Sequence, residues 1–464
     1  MNFLNRYSLL FATLAILIAV AGCSERDTST LPVSQGDTNP LVWADVVDPN
    51  VYWQPFSETN FYTLLVDSVF AYGGQASDGA RSLKFNIAPQ GSALGLYAGG
   101  VITSAGARNL TGYNALTFYA RATFPIALDL AGFGNDNTGT SKYEAGRSVA
   151  LTEEWTYVVV PIPDSSKLLS ERGLLTFAEA TKDAHPEGYD IWIDEIRFAN
   201  VSNIEVFRTS MVSANQQYFL GSTVSISGTS TVFRLDGAFI PVSHMPGYFD
   251  YASSDESVVA IEGSAIRVKS TGTATITASL GETAALGAIA VTGYEAPTVA
   301  SILPTVPAAD VVSLWGTVYP NILVDTWRAD FGGVTTKVED FVVADRTTKM
   351  YSSLNYVAID FQSSLINASE LTHLHLDVYT PEGTEFIISL VSFPVPGTQA
   401  QTLDLVVNAT STPAFVPSEW SSLEIPLADF VLPETGWDWA YVGQMVLSSG
   451  DTKLVLVDNL YFHK

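Results

Sequence analysis

A single cysteine in 464 residues leaves no room for an intramolecular disulfide framework or for a multi-cysteine zinc or iron–sulfur cluster. Basic residues are scarce: 22 Lys and Arg stand against 48 Asp and Glu, a net charge of −26. Such a surface repels phosphate backbones and anionic headgroups, which argues against nucleic acid as a partner and against polybasic membrane docking. Histidine is rare too, with five in all and no His-Glu-x-x-His motif; His373 and His375 share one strand face, a spacing open to a metal pair. Neither Gly-x-Ser-x-Gly nor Gly-x-x-x-x-Gly-Lys-Ser/Thr occurs. What is abundant is apolar: 47% of residues are hydrophobic and 11% aromatic, which excludes a disordered chain. At roughly 100–200 residues per domain the length predicts two to four domains.

The cysteine is Cys23, and its position gives it meaning. Arg6, the apolar run Leu9–Ala21 and the small residues before Cys23 have the layout of a secretory signal, too short for the ~20 residues of a spanning helix. Val20-Ala21-Gly22-Cys23 resembles the bacterial lipobox, which implies a signal peptide over 1–22 and lipidation of Cys23. Lipid chains would anchor a water-soluble chain without a transmembrane helix. Ser24 in place of Asp implies, by the enterobacterial sorting rule, an outer-membrane lipoprotein, expected at the cell surface. Residues 23–40 are rich in Ser, Thr, Asp and Pro and read as a flexible tether.

Beyond the tether no helical period is sustained. Short β-branched and aromatic runs recur between Gly, Asn, Asp and Pro clusters, as in SLKFNI (82–87), ALTFYARA (115–122), HLHLDVYT (373–380) and KLVLVDNLYF (453–462). The pattern predicts an all-β protein of packed sandwiches. Residues 169–184 are open to one short helix or to a connection within a sandwich.

An internal repeat organises these strands. Glu154-Trp155 leads through Pro161 to Ile193-Asp194-Glu195-Ile196, and Glu419-Trp420 leads through Pro426 to Val457-Asp458-Asn459-Leu460. The Trp-to-Asp spacings, 39 and 38 residues, match. Two related sandwiches, 41–202 and 296–464, are therefore expected to flank a middle segment, 203–295. There, Ser253-Ser254-Asp255 with Val258-Val259-Ala260, followed by Gly272-Thr273-Ala274-Thr275-Ile276-Thr277-Ala278, resembles the group 2 bacterial immunoglobulin-like domains, which implies an immunoglobulin-like spacer.

The last third carries a further resemblance through Val312-Ser313-Leu314-Trp315, Leu371-Thr372-His373-Leu374-His375, Glu419-Trp420 and Val457-Asp458-Asn459. These residues resemble the non-catalytic C-terminal modules of laminarinase-type family 16 glycoside hydrolases. The first third is similar, more loosely, to jelly-roll carbohydrate-binding modules. The resemblance implies two jelly-roll β-sandwiches around an immunoglobulin-like β-sandwich. It also implies capture of an extracellular polysaccharide, with a β-glucan such as laminarin favoured, for degradation and for uptake through an outer-membrane glycan transporter.

Sugar recognition needs flat aromatic rings for C–H faces and polar groups for hydroxyls. Trp155 and Trp420 open equivalent strands and are read first as core residues. The carbohydrate-binding candidates are Trp437, Trp439, Trp315, Trp327, Trp53, Tyr52 and Trp43, with Trp192 also left over. An extended Trp437-Asp438-Trp439 would set two rings on one face roughly 6–7 Å apart; the same residues could instead pack as an apolar turn. Gly132–Asn137 reads as a cleft end or a plain turn. Asp194 and Asp458 are candidates for a structural calcium ion or for turn carboxylates capping backbone N–H groups. The family 16 catalytic strand needs a leading glutamate that Asp190–Glu195 lacks, so no catalytic residue is assigned. Two other functions stay open: a surface adhesion protein with protein partners, and a divergent all-β hydrolase or lyase.

Overall fold

The computed structural model describes residues 36–44, 49–56, 65–67, 81–93, 97–263, 265–329, 331–393, 400–432 and 436–464. Cys23, the signal and most of the tether lie outside the described residues. The protein is all-β, its strands joined by loops and single 3₁₀ turns. Among the described residues no helix is long and apolar enough to cross a membrane.

The repeat read from the closing motifs is a repeat of topology. In the first sandwich the smaller sheet runs Leu65–Asp67, Ser82–Ile87, Tyr189–Ala199, Ala115–Ala122, Thr156–Pro161, with Leu41–Trp43 added beside Tyr189–Ala199. In the last third the order is Lys337–Val343, Arg346–Ser352, Val455–His463, His373–Tyr379, Trp420–Pro426, with Val311–Trp315 added beside Val455–His463. The facing sheets also correspond. Val51–Pro55, Tyr97–Arg108, Glu171–Ala180, Ile126–Phe133, Ala145–Leu151 is matched by Thr326–Ala329, Tyr356–Asp360, Val442–Ser449, Glu385–Ser392, Gln401–Asn408. Glu171–Ala180, in the segment open to a short helix, is a strand. Pairing with Tyr97–Arg108 on one side and Ile126–Phe133 on the other satisfies its backbone while Leu174, Leu175 and Phe177 are buried.

One departure from simple alternation is built into both copies. Strict period-two alternation over 190–196 puts Ile193 and Ile196 on opposite faces. In the structure Ile191, Ile193, Ile196 and Phe198 all enter the core. The register shifts between Asp194 and Arg197, where Glu195 adopts a left-handed φ of 52°. This β-bulge inserts one residue and re-phases the strand. Asn459, at φ 45°, does the same, so that Val455 and Val457 before it and Leu460 and Phe462 after it all point inward. In each copy the preceding aspartate accepts the next N–H: Glu195 N to Asp194 at 2.7 Å and Asn459 N to Asp458 at 2.9 Å.

The second bulge is the centre of a buried polar network. Asp458 also accepts the Ser301 hydroxyl at 2.8 Å and lies 3.6 Å from the Arg346 guanidinium. Asn459 Nδ2 donates to Asp377 at 2.7 Å and to the Ile302 carbonyl at 3.0 Å. Ser301 and Ile302 precede the Pro304–Pro307 stretch, so the connection into the last sandwich is strapped to its closing strand. Trp420 adds a second strap, its indole N–H donating to the Val299 carbonyl at 2.8 Å.

Strands Ala214–Phe219, Ile289–Tyr294, Gly272–Leu280 and Asp250–Ser253 form a sheet of the middle segment. Ile204–Ser210, Ser230–Leu235 and Ala238–His244 instead extend the larger sheet of the first sandwich, through Ser243 opposite Gly146 and His244 opposite Ala145. Hydrogen bonding thus crosses the boundary expected at 203, and one apolar core runs from the first sandwich into the middle segment. On the other side Phe219 is buried among Val343, Met350, Tyr379, Leu454 and Leu456 of the last sandwich.

Two stability measurements test this scheme. Arg346→Met leaves the buried Asp458 without its cation and should lower unfolding free energy by about 3 kcal/mol or more in urea denaturation. Glu171, at the start of a central strand, is pushed up to about 7 by burial and then by Asp136. Because the folded value is raised, this group's contribution to stability is complete below about pH 4.5 and lost as pH rises through about 7. Glu171→Gln should flatten that part of the urea-midpoint profile, and an unchanged slope would refute the assignment.

Candidate functional site

Apart from the exposed Phe207–Phe239 pair, whose rings lie 4.7 Å apart, a set of exposed aromatic residues lies on the outer face of the first sandwich's larger sheet. Along Val51–Pro55 the side chains alternate, so Val51 and Trp53 turn inward while Tyr52 and Gln54 turn outward. Phe56 extends the outward set, its N–H bonded to the Gly99 carbonyl at 3.1 Å. Tyr97 lies on the same face of the neighbouring strand. Tyr52, Phe56 and Tyr97 are 45%, 40% and 43% exposed, and this shared exposure makes them a row rather than core.

Two consecutive glycines permit the row. A Cβ on Gly99 would lie 2.9 Å from the Phe56 ring, and one on Gly100 would lie 2.5 Å from the Trp53 ring on the opposite face. Gly99 therefore lets a phenylalanine lie against the outer surface, while Gly100 lets the tryptophan enter the core, edge-on to Phe85 at 5.3 Å.

A polar cluster flanks Tyr97. Asp129 accepts the Ala180 N–H at 2.9 Å and the Lys182 ammonium. Glu179, fully buried, accepts the Asp129 N–H at 2.8 Å and the Tyr189 hydroxyl, with Lys182 Nζ 3.2 Å away. Burial raises the Glu179 carboxyl above its usual range in spite of these bonds. Burial, with Asp129 and Glu179 nearby, also pushes the Tyr97 phenol up. The Tyr97 hydroxyl, protonated at neutral pH as any phenol is, can donate beside a carboxylate and an ammonium that remain partly exposed.

The other expected residues are placed differently. Trp43 is buried in the first core and is corrected to a packing residue. Trp53 faces inward, so of the Tyr52-Trp53 pair only Tyr52 faces out. Trp192 is buried with Lys84 and Arg121 5.5 Å and 5.4 Å from its ring. Phe133 is buried, and Asn135 accepts the Asn137 N–H at 2.8 Å in a plain turn. Trp315 and Trp327 meet edge to face at 5.4 Å. Lys349 Nζ, 3.9 Å and 4.8 Å from those two rings and 2.6 Å from Asp340, occupies the approach that a sugar face would need. Trp437 and Trp439 are also brought together, but not as an extended platform. Trp439 opens a 3₁₀ turn capped by Asp438, and the rings meet at 5.0 Å and 80°, half-buried on the C-terminal core.

Asp194 and Asp458 both cap the bulge N–H that follows them. Around Asp458 the balancing charge is the Arg346 guanidinium, a donor set that does not fit a calcium ion, so no role is derived through that metal there. In the strand nearest to a catalytic pattern, Asp190 is bonded to Lys84 and Asn86, both at 2.8 Å, and Glu195 pairs with Arg197.

Sequence reasoning missed Phe56 and Tyr97. Phe56 was readable from period two once Tyr52 faced out, whereas Tyr97 needed the sheet order. On the equivalent face of the last sandwich the row through Ala358, Val446, Ser389 and Asp404 has no ring, and Tyr356, two residues before Ala358 on the same strand face, is a ring on that face.

No protein-family model matches the chain, and no curated protein matches it. Several solved structures do. An N-terminal CBM22 tandem domain from Paenibacillus barcinonensis is 12% identical, covers 93% of this chain and 99% of its own, and has a TM-score of 0.23. A family 11 carbohydrate-binding module from Clostridium thermocellum, in complex with a β-1,3-1,4-mixed-linked tetrasaccharide, is 14% identical over 31% of this chain and 97% of its own, TM-score 0.21. A β-1,2-glucanase from Parabacteroides distasonis is 11% identical over 56% of this chain and 40% of its own, TM-score 0.23.

Proposed function

We propose that this protein is a non-catalytic glycan-binding lipoprotein of the outer membrane, held at the cell surface through Cys23. It captures an extracellular polysaccharide, a β-glucan such as laminarin, and delivers it for degradation and transport. The observation that carries the reading is the exposed row of Tyr52, Phe56 and Tyr97 beside the Asp129–Lys182 pair. Tyr52 and Phe56, four residues apart in extended chain, are separated by roughly 13 Å, a span of several sugar units. Their rings supply flat apolar surface, and the Tyr hydroxyls, Gln54, Asp129 and Lys182 supply donors and acceptors for the sugar rim. The net charge of −26 favours a neutral glucan over alginate or sulfated glycans.

Native gels cast with laminarin, mixed-linkage glucan, xylan or alginate, with and without calcium, test the binding. Retardation by a β-glucan is expected, together with a loss of affinity of about tenfold or more in Tyr52→Ala/Phe56→Ala/Tyr97→Ala. No retardation by any glycan, or full retention in the triple variant, would sink this reading. Anchoring is tested separately: labelled fatty acid should be incorporated into the expressed full chain and not into Cys23→Ala.

A further inference from the structure

We propose that His373, Glu424 and His463 form a surface site for a divalent transition metal, with zinc the best fit. The site arises from register. Val455–His463, His373–Tyr379 and Trp420–Pro426 are adjacent strands, His463 lies opposite His373, and Glu424 lies opposite His375. Leu374, Ile425 and Phe462 fill the core, so alternation turns His373, Glu424 and His463 to the outer face. One ligand atom from each of the three lies within 4.8 Å of the others. Ligand atoms around a tetrahedral zinc are about 3.4 Å apart. The His373 and His463 rings stack with centroids 5.2 Å apart and 13° between their planes, so binding requires one ring to turn about its side-chain torsions until both lone pairs meet at one ion.

The donor chemistry agrees with this placement. His463 Nδ1 lies 2.9 Å from the Lys464 carbonyl, which can only accept, so this nitrogen carries a proton and Nε2 is the ligand. His373 Nδ1 lies 2.7 Å from the Thr372 hydroxyl, which leaves its Nε2 for the metal as well. His463 Nε2 already hydrogen-bonds Glu424 Oε1, and a metal ion takes the place of the proton between them. His375 is not a ligand. Its Nδ1, 2.7 Å from Glu424 Oε2, positions the carboxylate, and Asp377 lies 3.5 Å behind its Nε2. The pair suggested by sequence, His373 with His375, is thus replaced by two histidines from different strands and a carboxylate from a third. A partly exposed Glu424 leaves the fourth coordination position to solvent. Bound metal would pin the last strand to two neighbours, independently of the aromatic row on the first sandwich.

The test is calorimetric titration of the chelator-stripped full chain with zinc chloride, with metal content measured after dialysis. About one zinc per chain is expected. Glu424→Gln and His373→Ala should each weaken binding by roughly tenfold or more, and His375→Ala by about tenfold. His185→Ala, which changes a histidine stacked on Phe124 in the other sandwich, should leave binding unchanged. Urea denaturation without metal confirms that each variant folds, and the exposed Glu424→Gln keeps the test available if a histidine variant does not. Far less than one zinc per chain, equal affinity in Glu424→Gln and the parent, or loss of zinc in His185→Ala would overturn the proposal.

Discussion

Two aspartates buried beside a left-handed residue set the geometry of the last sandwich. Asp377 and Asp458 cannot be removed from water without partners, and the partners are the Asn459 amide, the Ser301 hydroxyl and the Arg346 guanidinium. Those bonds hold the bulge at Asn459, and the bulge decides which face of the closing strand is apolar. With the bulge in place, Leu460 and Phe462 fill the core and His463 is turned outward beside His373. The same contacts draw in the chain before Pro304, so the orientation of the module depends on the polar centre that phases its last strand.

The first sandwich uses the same bulge but spends its other face differently. Gly99 and Gly100 open opposite sides of one strand, and the adjacent Val51–Pro55 strand places a ring into each opening. Alternation is the physical reason that Tyr52 and Trp53, neighbours in sequence and similar in chemistry, have opposite environments. In the last sandwich the corresponding strands carry Ala358, Val446, Ser389 and Asp404 across one row, with Tyr356 on the same face. The duplication therefore preserved the framework and let the outer faces diverge.

The duplicated framework was legible because it rests on repeated residues at matched spacing: Trp155 and Trp420, Pro161 and Pro426, Asp194 and Asp458. The all-β class was legible because no helical period competes with the strand runs. What was not legible depends on backbone conformation or on distant pairing. The positive φ of Glu195 and Asn459 re-phases strands that read as simple alternation. The 3₁₀ turn at Trp439 converts a spaced pair of rings into an edge-to-face contact. Glu171–Ala180 reads ambiguously on its own and becomes a strand through neighbours about forty to eighty residues earlier in the chain. Trp43 looks like a surface candidate until its strand is placed beside Tyr189–Ala199.

Phe219 has a consequence for how these modules can be exchanged. A side chain from the middle segment completes the apolar cluster of Met350, Tyr379 and Leu456 in the last sandwich, while the first sandwich lends its sheet to the middle segment at Gly146 and Ala145. Neither junction is a neutral seam. Recombination that moved the last sandwich alone would expose an apolar scar, so the architecture behaves less as interchangeable beads than as a stiff unit inherited whole.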